Sequence, residues 1–258
     1  MARRSLKPLS LKRQIALHGG DDIPHIRIGQ DLAAAAAKAE PLNRAGEVDV
    51  FDFEQGSDEW LMARLGMPTA SVFATIMADG RDGGDSIGRR KLLYQLAGEL
   101  LTGEVAETFT NAAMMRGKEM EPEACEHYAF TRDVELERVG FVVRTLPRGQ
   151  RVGCSPDRFV VGQDKVLETK TMRPDLLIEL AQRGTFPTEH RAQCYGTLWV
   201  TGRSLCDLMI FYRNMPIAPT FTLERNELYI RQIAEAVEVF AYELKGVVEH
   251  VRNMGGRR

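Results

Sequence analysis

Residues 155–170, SPDRFVVGQDKVLETK, carry carboxylates and lysines on a predicted β-hairpin. Asp157 precedes a short apolar run, and a polar turn separates this run from a second strand. Because side chains alternate across a strand, Glu168 and Lys170 lie on one face and Thr169 on the other. Carboxylate oxygens are the ligands that Mg²⁺ prefers, and an ammonium group beside them can hold a water or help to deprotonate it. The pattern predicts a metal site, and the alternative is a solvated hairpin with ordinary surface charges.

A second candidate site lies at the junction of two helices predicted near the start of the domain. Ser57 is a good N-cap for a helix that ends near Gly66, and Thr69 is predicted to cap the next helix. Ser71 falls in the first turn of that second helix, and Arg64 lies one turn before the break. A hydroxyl, free backbone N–H groups and a guanidinium would together bind a phosphate. The alternative is plain helix capping beside a surface arginine.

The rest of the chain supplies alternating helix and strand patterns that would position these residues. Pro122 interrupts one helix and predicts a bend or a new start, because proline inside a helix costs about 3 kcal/mol. An apolar strand after a later helix suits a parallel crossover beside the hairpin. The patterns together predict an α/β fold with a central mixed β-sheet flanked by α-helices. Helices are predicted over 87–101, 111–130 and 224–251, from Pro174, and from Pro187 to Gly202, and strands over 134–145, 151–154 and 204–212.

The 258 residues are enough for one sizeable domain with extensions. Residues 1–46 show little apolar periodicity and are predicted to be a flexible arm, whereas residues 47–258 are predicted to form the domain. No apolar run approaches the roughly 20 residues that a membrane-spanning helix needs, and no apolar secretory segment follows the basic N-terminus. The sequence therefore predicts a cytoplasmic protein without a membrane partner.

Charge and cysteine usage narrow the classes of function. The net charge of −2 argues against a protein that coats DNA with a uniformly basic surface, so any nucleic-acid surface must be local. The four cysteines show no metal-ligand spacing, which predicts buried reduced thiols and no iron–sulfur cluster. Local basic clusters, each either a DNA contact or a solvated face, comprise Arg81, Arg89, Arg90 and Lys91; Arg144, Arg148, Arg151 and Arg158; and Arg183, His190 and Arg191.

Five motifs occur in a defined order along the chain. They are GSDEWLMARLGMPTAS (56–71), RGKEMEPEA (116–124), CSPD (154–157), LETK (167–170) and AQCYGTLWVTG (192–202). In this order they resemble the phage lambda exonuclease and YqaJ-type viral recombinase family of the PD-(D/E)XK nuclease superfamily, over about residues 51–213. The resemblance implies the restriction-endonuclease-like fold of that superfamily and a Mg²⁺-dependent 5′-to-3′ exonuclease that degrades one strand of duplex DNA processively from its ends.

The resemblance also implies roles at the hairpin. Asp157, Glu168 and Glu121, with the Thr169 carbonyl, would hold one or two Mg²⁺ ions, with Mn²⁺ as an alternative. Lys170 would orient and polarise the attacking water. From the residues alone, Glu121 is equally one more acid on a wet helical face.

Further roles follow from the same resemblance. Gln193 would border the catalytic centre, and Arg64 and Ser71 would hold the 5′-phosphate of the DNA. The family motif often places a tyrosine four residues after the glutamine, but this sequence has Thr197 there and Tyr195 two residues after Gln193. Whether Tyr195 or Thr197 takes the place of that tyrosine is open.

The implied biology is phage-type homologous recombination or DNA end processing in a bacterial host, with a phage or prophage gene. The expected partners are double-stranded DNA ends, a single-strand annealing protein and further copies of the chain in a ring trimer. Two alternatives remain open: an endonuclease on the same fold, and a non-catalytic DNA-end-binding module. The second would show a lost acid or lysine, and Asp157, Glu168 and Lys170 are all present.

Overall fold

Two β-sheets organise the part of the chain that the computed structural model describes, residues 43–45, 48–80, 84–106 and 112–255. The strands are β1 (Asn43–Ala45), β2 (Val48–Phe51), β3 (Leu136–Arg138), β4 (Phe141–Thr145), β5 (Arg151–Cys154), β6 (Arg158–Val160), β7 (Lys165–Thr171), β8 (Leu205–Phe211) and β9 (Thr220–Glu224). One sheet has the order β1-β2-β4-β5 and is antiparallel. The other has the order β3-β6-β7-β8-β9 and is mixed, because β7 and β8 run parallel.

Helices cover both faces of the mixed sheet, which confirms the predicted fold class. The α-helices are α1 (Asp58–Arg64), α2 (Phe73–Met77), α3 (Ile87–Thr102), α4 (Ala112–Arg132), α5 (Pro174–Arg183), α6 (Arg191–Thr201) and α7 (Glu227–Gly255), and two 3₁₀ helices cover Ala70–Val72 and Thr188–His190. Helix α4 packs on one face of the sheet, and α6, backed by α7, packs on the other.

Alternate residues of β7 and β8 face two separate apolar cores. Val166 and Leu208 join the larger core with α6 and α7, and Leu167 and Met209 join the smaller core with α4. Glu168 is in register with Leu208, and it shares the face of Val166 because side chains alternate along the strand. Glu168 is therefore directed toward α6.

The predicted strand over 134–145 is wrong as a single element. It forms β3 and β4, which belong to different sheets. At the break, a Cβ on Gly140 would lie 2.2 Å from the backbone nitrogen and oxygen of Phe53, so only glycine fits where these two backbones cross. Strands β2 and β9 were not predicted, whereas the hairpin β6–β7, strand β5 and the parallel strand β8 are confirmed.

Of the bend or new helix start predicted at Pro122, the new start is wrong. Helix α4 runs unbroken through the proline. Pro122 cannot bond to the carbonyl of Lys118, but both residues are exposed, so water can satisfy that carbonyl.

The predicted α-helix start at Thr69 is replaced by a 3₁₀ turn. The Thr69 side chain makes no capping hydrogen bond, and its hydroxyl instead lies 3.1 Å from that of Ser71. The cap of α1 by Ser57 is confirmed, since its side chain accepts a hydrogen bond from the Trp60 N–H. Pro174 at the start of α5 is confirmed too, whereas Pro187 precedes a 3₁₀ helix and α6 begins only at Arg191.

Of the predicted arm over 1–46, residues 43–45 belong to the described part of the chain, where they form β1 and pair with β2. The rest of that arm lies outside the described residues, and its boundary with the domain stays a prediction. Among the described helices, none is long and apolar enough to cross a membrane. All four cysteines are buried and free, as predicted.

Candidate active site

The first acid of the hairpin, Asp157, is fixed by the backbone of the opposite strand. Its Oδ2 atom accepts hydrogen bonds from the Thr169 N–H at 2.6 Å and from the Thr169 hydroxyl at 2.8 Å. Both side chains are buried. Pro156 disfavours a helical Ser155 and so keeps the chain extended into Asp157. The hairpin thus carries a carboxylate whose position is set by β7 itself.

The second acid, Glu168, lies under α6 with 1% of its surface exposed. Its Oε1 atom accepts a hydrogen bond from the Thr197 hydroxyl at 3.1 Å. Its Oε2 atom accepts one from the Gln193 amide at 2.9 Å and contacts the Lys170 ammonium at 3.5 Å. The prediction that Glu168 and Lys170 share a face is confirmed, and Gln193 joins them.

Burial and like charge act on these groups together. Burial, followed by repulsion from Asp157, raises the pKa of Glu168 to about 7, although Lys170 and the Thr197 hydroxyl oppose the shift. Burial lowers the pKa of Lys170, but the charges of Glu168 and Asp157 outweigh it and hold that pKa above its ordinary value. Lys170 is therefore a cation in a site with more negative charge than it can neutralise.

Glu121 approaches the same centre from α4. Burial and the charge of Asp157 raise its pKa, whereas Arg158 and Lys170 lower it. Its Oε1 atom lies 3.2 Å from the Arg158 guanidinium. The neighbouring acids Glu119 and Glu126 are exposed, whereas Glu123 is half-buried like Glu121 but pairs with Arg213. Arg158, proposed from sequence as a member of a basic cluster, is thus the partner of a site acid.

The donor set fits a hard cation in type and charge. Asp157 and Glu168 supply oxygen atoms, and their mutual repulsion would be relieved by a positive ion. Across residues 43–45, 48–80, 84–106 and 112–255, however, no three side chains of His, Cys, Asp or Glu are grouped closely enough to hold an ion as they stand. Glu121 is engaged by Arg158, and one oxygen of Asp157 is engaged by Thr169.

Arg64 is the last residue of α1 and lies beside the connection between β5 and β6. Its Cζ atom is 4.0 Å from the centre of the Trp60 ring, and its Nη1 donates to the Ser155 hydroxyl at 3.4 Å. The Trp60 indole donates to the same hydroxyl at 3.0 Å. Burial lowers the pKa of Arg64 to about 10, against the opposing charges of Cys154 and Glu99, so it remains charged at neutral pH.

Ser71 is exposed and lies two residues after Thr69, which pairs with Gly153 of β5. Arg64 contacts Ser155, directly after β5, so Arg64 and Ser71 both lie near this strand, but the described contacts do not join them directly. The 3₁₀ turn also replaces the α-helix N-terminus that was predicted as a phosphate seat.

Sequence reasoning left open whether Tyr195 or Thr197 belongs to the site, and the structure brings Thr197 there. Thr197 donates to Glu168, whereas the Tyr195 ring packs on Tyr229 of α7 at 4.9 Å. The sequence held one signal for this: Thr197 is four residues after Gln193 and therefore shares its helical face.

The basic cluster around Arg89 is corrected by the structure. Arg89 is fully buried, with its guanidinium 3.0 Å from Asp85 and 2.7 Å from Glu243. It ties the start of α3 to α7 and is no surface for DNA. Arg81 of the same cluster lies outside the described residues, and Arg90 and Lys91 are exposed.

Solved structures of known proteins are similar to this chain in fold. A crystal structure of an alkaline exonuclease, LHK-Exo from Laribacter hongkongensis, is 28% identical with a TM-score of 0.69, and its complex with dAMP is 29% identical with a TM-score of 0.68. Each of these two matches covers 78% of this chain and 99% of the LHK-Exo chain. A phage-related exonuclease from Haemophilus somnus 129PT is 15% identical, with a TM-score of 0.52. This match covers 71% of this chain and 96% of the other chain, and at this identity it shows the fold alone.

No curated protein matches the chain. The family model for the YqaJ-like viral recombinase domain matches residues 59–204. This range contains the hairpin, α4 and α6, and so both candidate sites. It confirms the resemblance on which the sequence interpretation depends, and the chain belongs to the YqaJ-like viral recombinase domain family.

Proposed function

We propose that the protein is a Mg²⁺-dependent exonuclease that degrades one strand of duplex DNA in the 5′-to-3′ direction from its ends. The observation that carries this proposal is the pair of buried acids Asp157 and Glu168, with the half-buried Lys170 ammonium and Gln193 amide in contact with Glu168. Two solved structures of one similar protein, the alkaline exonuclease LHK-Exo, support nuclease activity, and the one that holds dAMP supports DNA as the substrate. The family assignment supports a role in phage-type recombination or DNA end processing.

Asp157 and Glu168, with Glu121 and the Thr169 carbonyl, would hold one or two Mg²⁺ ions, or Mn²⁺ as an alternative. When bound, the metal supplies Lewis-acid polarisation of a phosphoryl oxygen and a more acidic water. The Thr169 N–H fixes Asp157, and Gln193 fixes Glu168. Glu121 joins this set on exchanging its contact with Arg158.

Lys170 is the group we assign to the attacking water. Its ammonium stays charged beside Glu168 and Asp157, so it can hold a water's oxygen and stabilise the hydroxide that forms. The covalent change is attack of that oxygen on phosphorus, cleavage of the bond to the leaving sugar oxygen, and transfer of a proton to the leaving group. Lys170 orients the nucleophile and does not become covalently attached.

Arg64 and Ser71 are assigned to the 5′-phosphate of the DNA end. A terminal phosphate carries more charge than an internal phosphodiester, so a guanidinium discriminates between them through charge-assisted hydrogen bonds. Support comes from Arg64, which reaches Ser155, only two residues from Asp157. With the helix N-terminus absent, the guanidinium and the exposed Ser71 hydroxyl are the donors that remain.

The proposed partners are double-stranded DNA ends, a single-strand annealing protein, and two further copies of the chain in a ring. Processive digestion would require such enclosure of the DNA or an equivalent hold on it. These proposals are based on the family resemblance and depend on the exonuclease assignment.

The deciding experiment compares DNA substrates with purified protein. Linear duplexes with 5′-phosphate or 5′-hydroxyl ends and a covalently closed circle are incubated with Mg²⁺, with Mn²⁺, or with a chelator. We expect mononucleotide release from linear DNA alone, only with metal, and faster from phosphorylated ends. Cutting of the circle would instead show an endonuclease, and end binding without turnover in any metal would show a non-catalytic module.

A further inference from the structure

A groove of about 550 Å³ opens at the carboxyl ends of β7 and β8, beside the candidate active site. Its lining includes Thr171 and Met172, which directly follow Lys170, Tyr212, which follows the end of β8, and Arg116 of α4. In open α/β sheets, ligands bind outside the carboxyl ends of the strands. The volume is within the range of sites that hold a small molecule.

Cationic charge in this groove is available to a ligand. Arg116 is exposed and makes no hydrogen bond or ion pair with any residue in the described part of the chain. Arg173 is also exposed and forms a bidentate pair with the exposed Asp175, at 3.1 and 2.5 Å. Both side chains of this pair face solvent, so a phosphate can compete with Asp175 for Arg173. A bound phosphate would therefore meet Arg116, which has no described partner, and Arg173, which has an exposed carboxylate partner.

The same groove has apolar surface beside the charge. Tyr212 is half-buried at the edge of both apolar cores, and its hydroxyl has no hydrogen-bond partner within the residues that the structure describes. Met172 is half-buried at the edge of the larger core, and Leu176 remains 44% exposed. A partly exposed aromatic ring beside guanidinium groups is the combination that binds single-stranded nucleic acid, with bases stacked on the ring and phosphates on the cations.

We propose that this groove binds unpaired DNA next to the scissile phosphate, with Tyr212 against a base and Arg116 on a phosphate. This inference rests on the proposed function, because it places the substrate of the same active centre. Paired bases are already stacked in a duplex and cannot lie on a protein ring, so the ligand is a single strand. Thr171 adjoins Lys170, so a strand in the groove leads straight to the reacting atoms.

The test measures binding of a fluorescent oligothymidylate by anisotropy, in chelator, so that no turnover is needed. Arg116→Gln should reduce the slope of log K against log salt by about 0.7, the value for one phosphate contact of single-stranded DNA. Tyr212→Leu should weaken binding at least about fivefold, whereas Tyr212→Phe keeps the ring and should bind as the wild type does. Arg231→Gln, which removes an exposed arginine on α7, is the matched control and should change neither quantity.

Two further DNAs separate stacking from charge. On an oligonucleotide whose sugars lack bases, Tyr212→Leu should have no effect while Arg116→Gln keeps its effect on the salt slope. On a relaxed, covalently closed circular duplex, in which every base is paired, Tyr212→Leu should have no effect either. Equal losses on all DNAs, or unchanged binding in both variants with wild-type thermal melting, would overturn the proposal.

Three outcomes separate the DNA-binding groove from a subunit contact and from the exonuclease assignment. If Arg116→Gln and Tyr212→Leu alter sedimentation but not DNA binding, the groove is a contact between subunits and the proposal fails. If the wild type shows no nuclease activity but the binding effects appear, the groove stands and the exonuclease assignment fails. If the variants digest and bind DNA as the wild type does, the exonuclease assignment stands and the groove proposal fails.

Discussion

Two buried carboxylates lie on opposite faces of the parallel strands β7 and β8. Glu168 is in register with Leu208, and Asp207 is in register with Leu167. Leu167 and Leu208 belong to different cores, so the two acids point to opposite sides of one sheet. Glu168 is 1% exposed and Asp207 is 2% exposed. Burial alone therefore does not distinguish them.

Both acids also have the same kinds of partner. Each accepts hydrogen bonds from a hydroxyl and contacts a lysine ammonium. Around Glu168 these contacts are Thr197 at 3.1 Å, Gln193 at 2.9 Å and Lys170 at 3.5 Å; around Asp207 they are Tyr128 at 2.5 Å, Thr222 at 2.6 Å and Lys165 at 3.1 Å.

The difference is a second carboxylate. Asp157 repels Glu168 and helps to raise its pKa to about 7, after the larger effect of burial. The described hydrogen-bond partners of Asp207 are two hydroxyls and one ammonium, and no second carboxylate is among them. A buried acid with enough donors stabilises the fold, whereas one that also faces another acid needs a cation. We therefore interpret Asp207 as a residue that stabilises the fold, here called the anchor, and Glu168 as a residue of the candidate active site.

The strongest test of this comparison removes each of the two lysines in turn. Lys170→Ala should slow digestion of linear duplex about a hundred- to ten-thousandfold, because it removes the group that orients the nucleophile. Lys165→Ala, the matched change beside Asp207, should leave the rate nearly unchanged. Single-turnover nucleotide release gives the rates, and circular dichroism checks folding. Full activity in folded Lys170→Ala protein would remove Lys170 from the mechanism.

The anchor should reveal itself in stability. Asp207→Asn removes the charge that pairs with Lys165 and turns a donor toward the hydroxyls of Tyr128 or Thr222. Breaking a buried pair costs about 3 to 5 kcal/mol; Lys165 is 17% exposed, so we expect about 2 to 4 kcal/mol. Urea unfolding measures the loss. A variant as stable as the wild type would show that Asp207 is no anchor.

Arg64 extends the functional side of the comparison to the DNA end. Arg64→Ala should slow digestion of 5′-phosphorylated duplex about ten- to hundredfold, which corresponds to the 1.5 to 3 kcal/mol of a charge-assisted contact. Duplex with a 5′-hydroxyl lacks that contact already and should be digested at nearly the wild-type rate. The two ends are compared in one protein, so a folding defect would lower both rates together. Equal slowing in folded protein would mean that Arg64 does not recognise the phosphate.

The pKa of Glu168 predicts a pH dependence with a definite sign. Because the folded value of about 7 is above the ordinary 4.5, ionisation opposes folding, and the free energy of unfolding should fall as pH rises between these values. Without metal at about pH 8, Glu168→Gln should be more stable than the wild type by about 1 to 3 kcal/mol, and at about pH 5 the difference should shrink. Mg²⁺ should stabilise the wild type more than the variant.

Thermal melting in chelator and in Mg²⁺ at both pH values measures these differences. Asp207→Asn is the opposite control, since it should destabilise the protein in every condition. If the wild type and Glu168→Gln melt with the same pH dependence, the repulsion at Glu168 is smaller than the structure indicates.

Patterns in neighbouring residues predict much of the fold, but they do not predict where segments distant in the chain meet. The hairpin that carries Asp157 and Glu168 follows from alternation and turn residues in adjacent sequence, and so it was predicted correctly. The break at Gly140 depends on the backbone of Phe53, far away in the chain, and no local pattern contains it. Thr69 looked like a helix cap, but pairing with Gly153 of β5 determines its conformation.

The residues of the candidate active site likewise divide into those that neighbouring sequence predicts and those that depend on packing between elements. Asp157, Glu168 and Lys170 were found because the hairpin brings them together through neighbouring residues. The role of Thr197 depends on how α6 packs on β7, which sequence spacing does not define. The ion pair of Glu121 with Arg158 also joins two separate elements, and local sequence does not show that Arg158, predicted as either a DNA contact or part of a solvated face, has this acidic partner.

The smallest predicted effect concerns the two threonines that serve the two acids. Thr197→Val keeps the side-chain volume but removes one donor to Glu168, so we expect a rise of about fivefold in the Mg²⁺ concentration for half-maximal rate, equivalent to about 1 kcal/mol. The maximal rate should change little, because Gln193 and Lys170 still hold the other oxygen. Thr197→Ser restores the hydroxyl and should restore the wild-type Mg²⁺ requirement. Thr222→Val, beside Asp207, should lower stability slightly and leave the Mg²⁺ requirement unchanged. An unchanged requirement in Thr197→Val, or an equal change in Thr222→Val, would show that the hydroxyl does not position Glu168 for the metal.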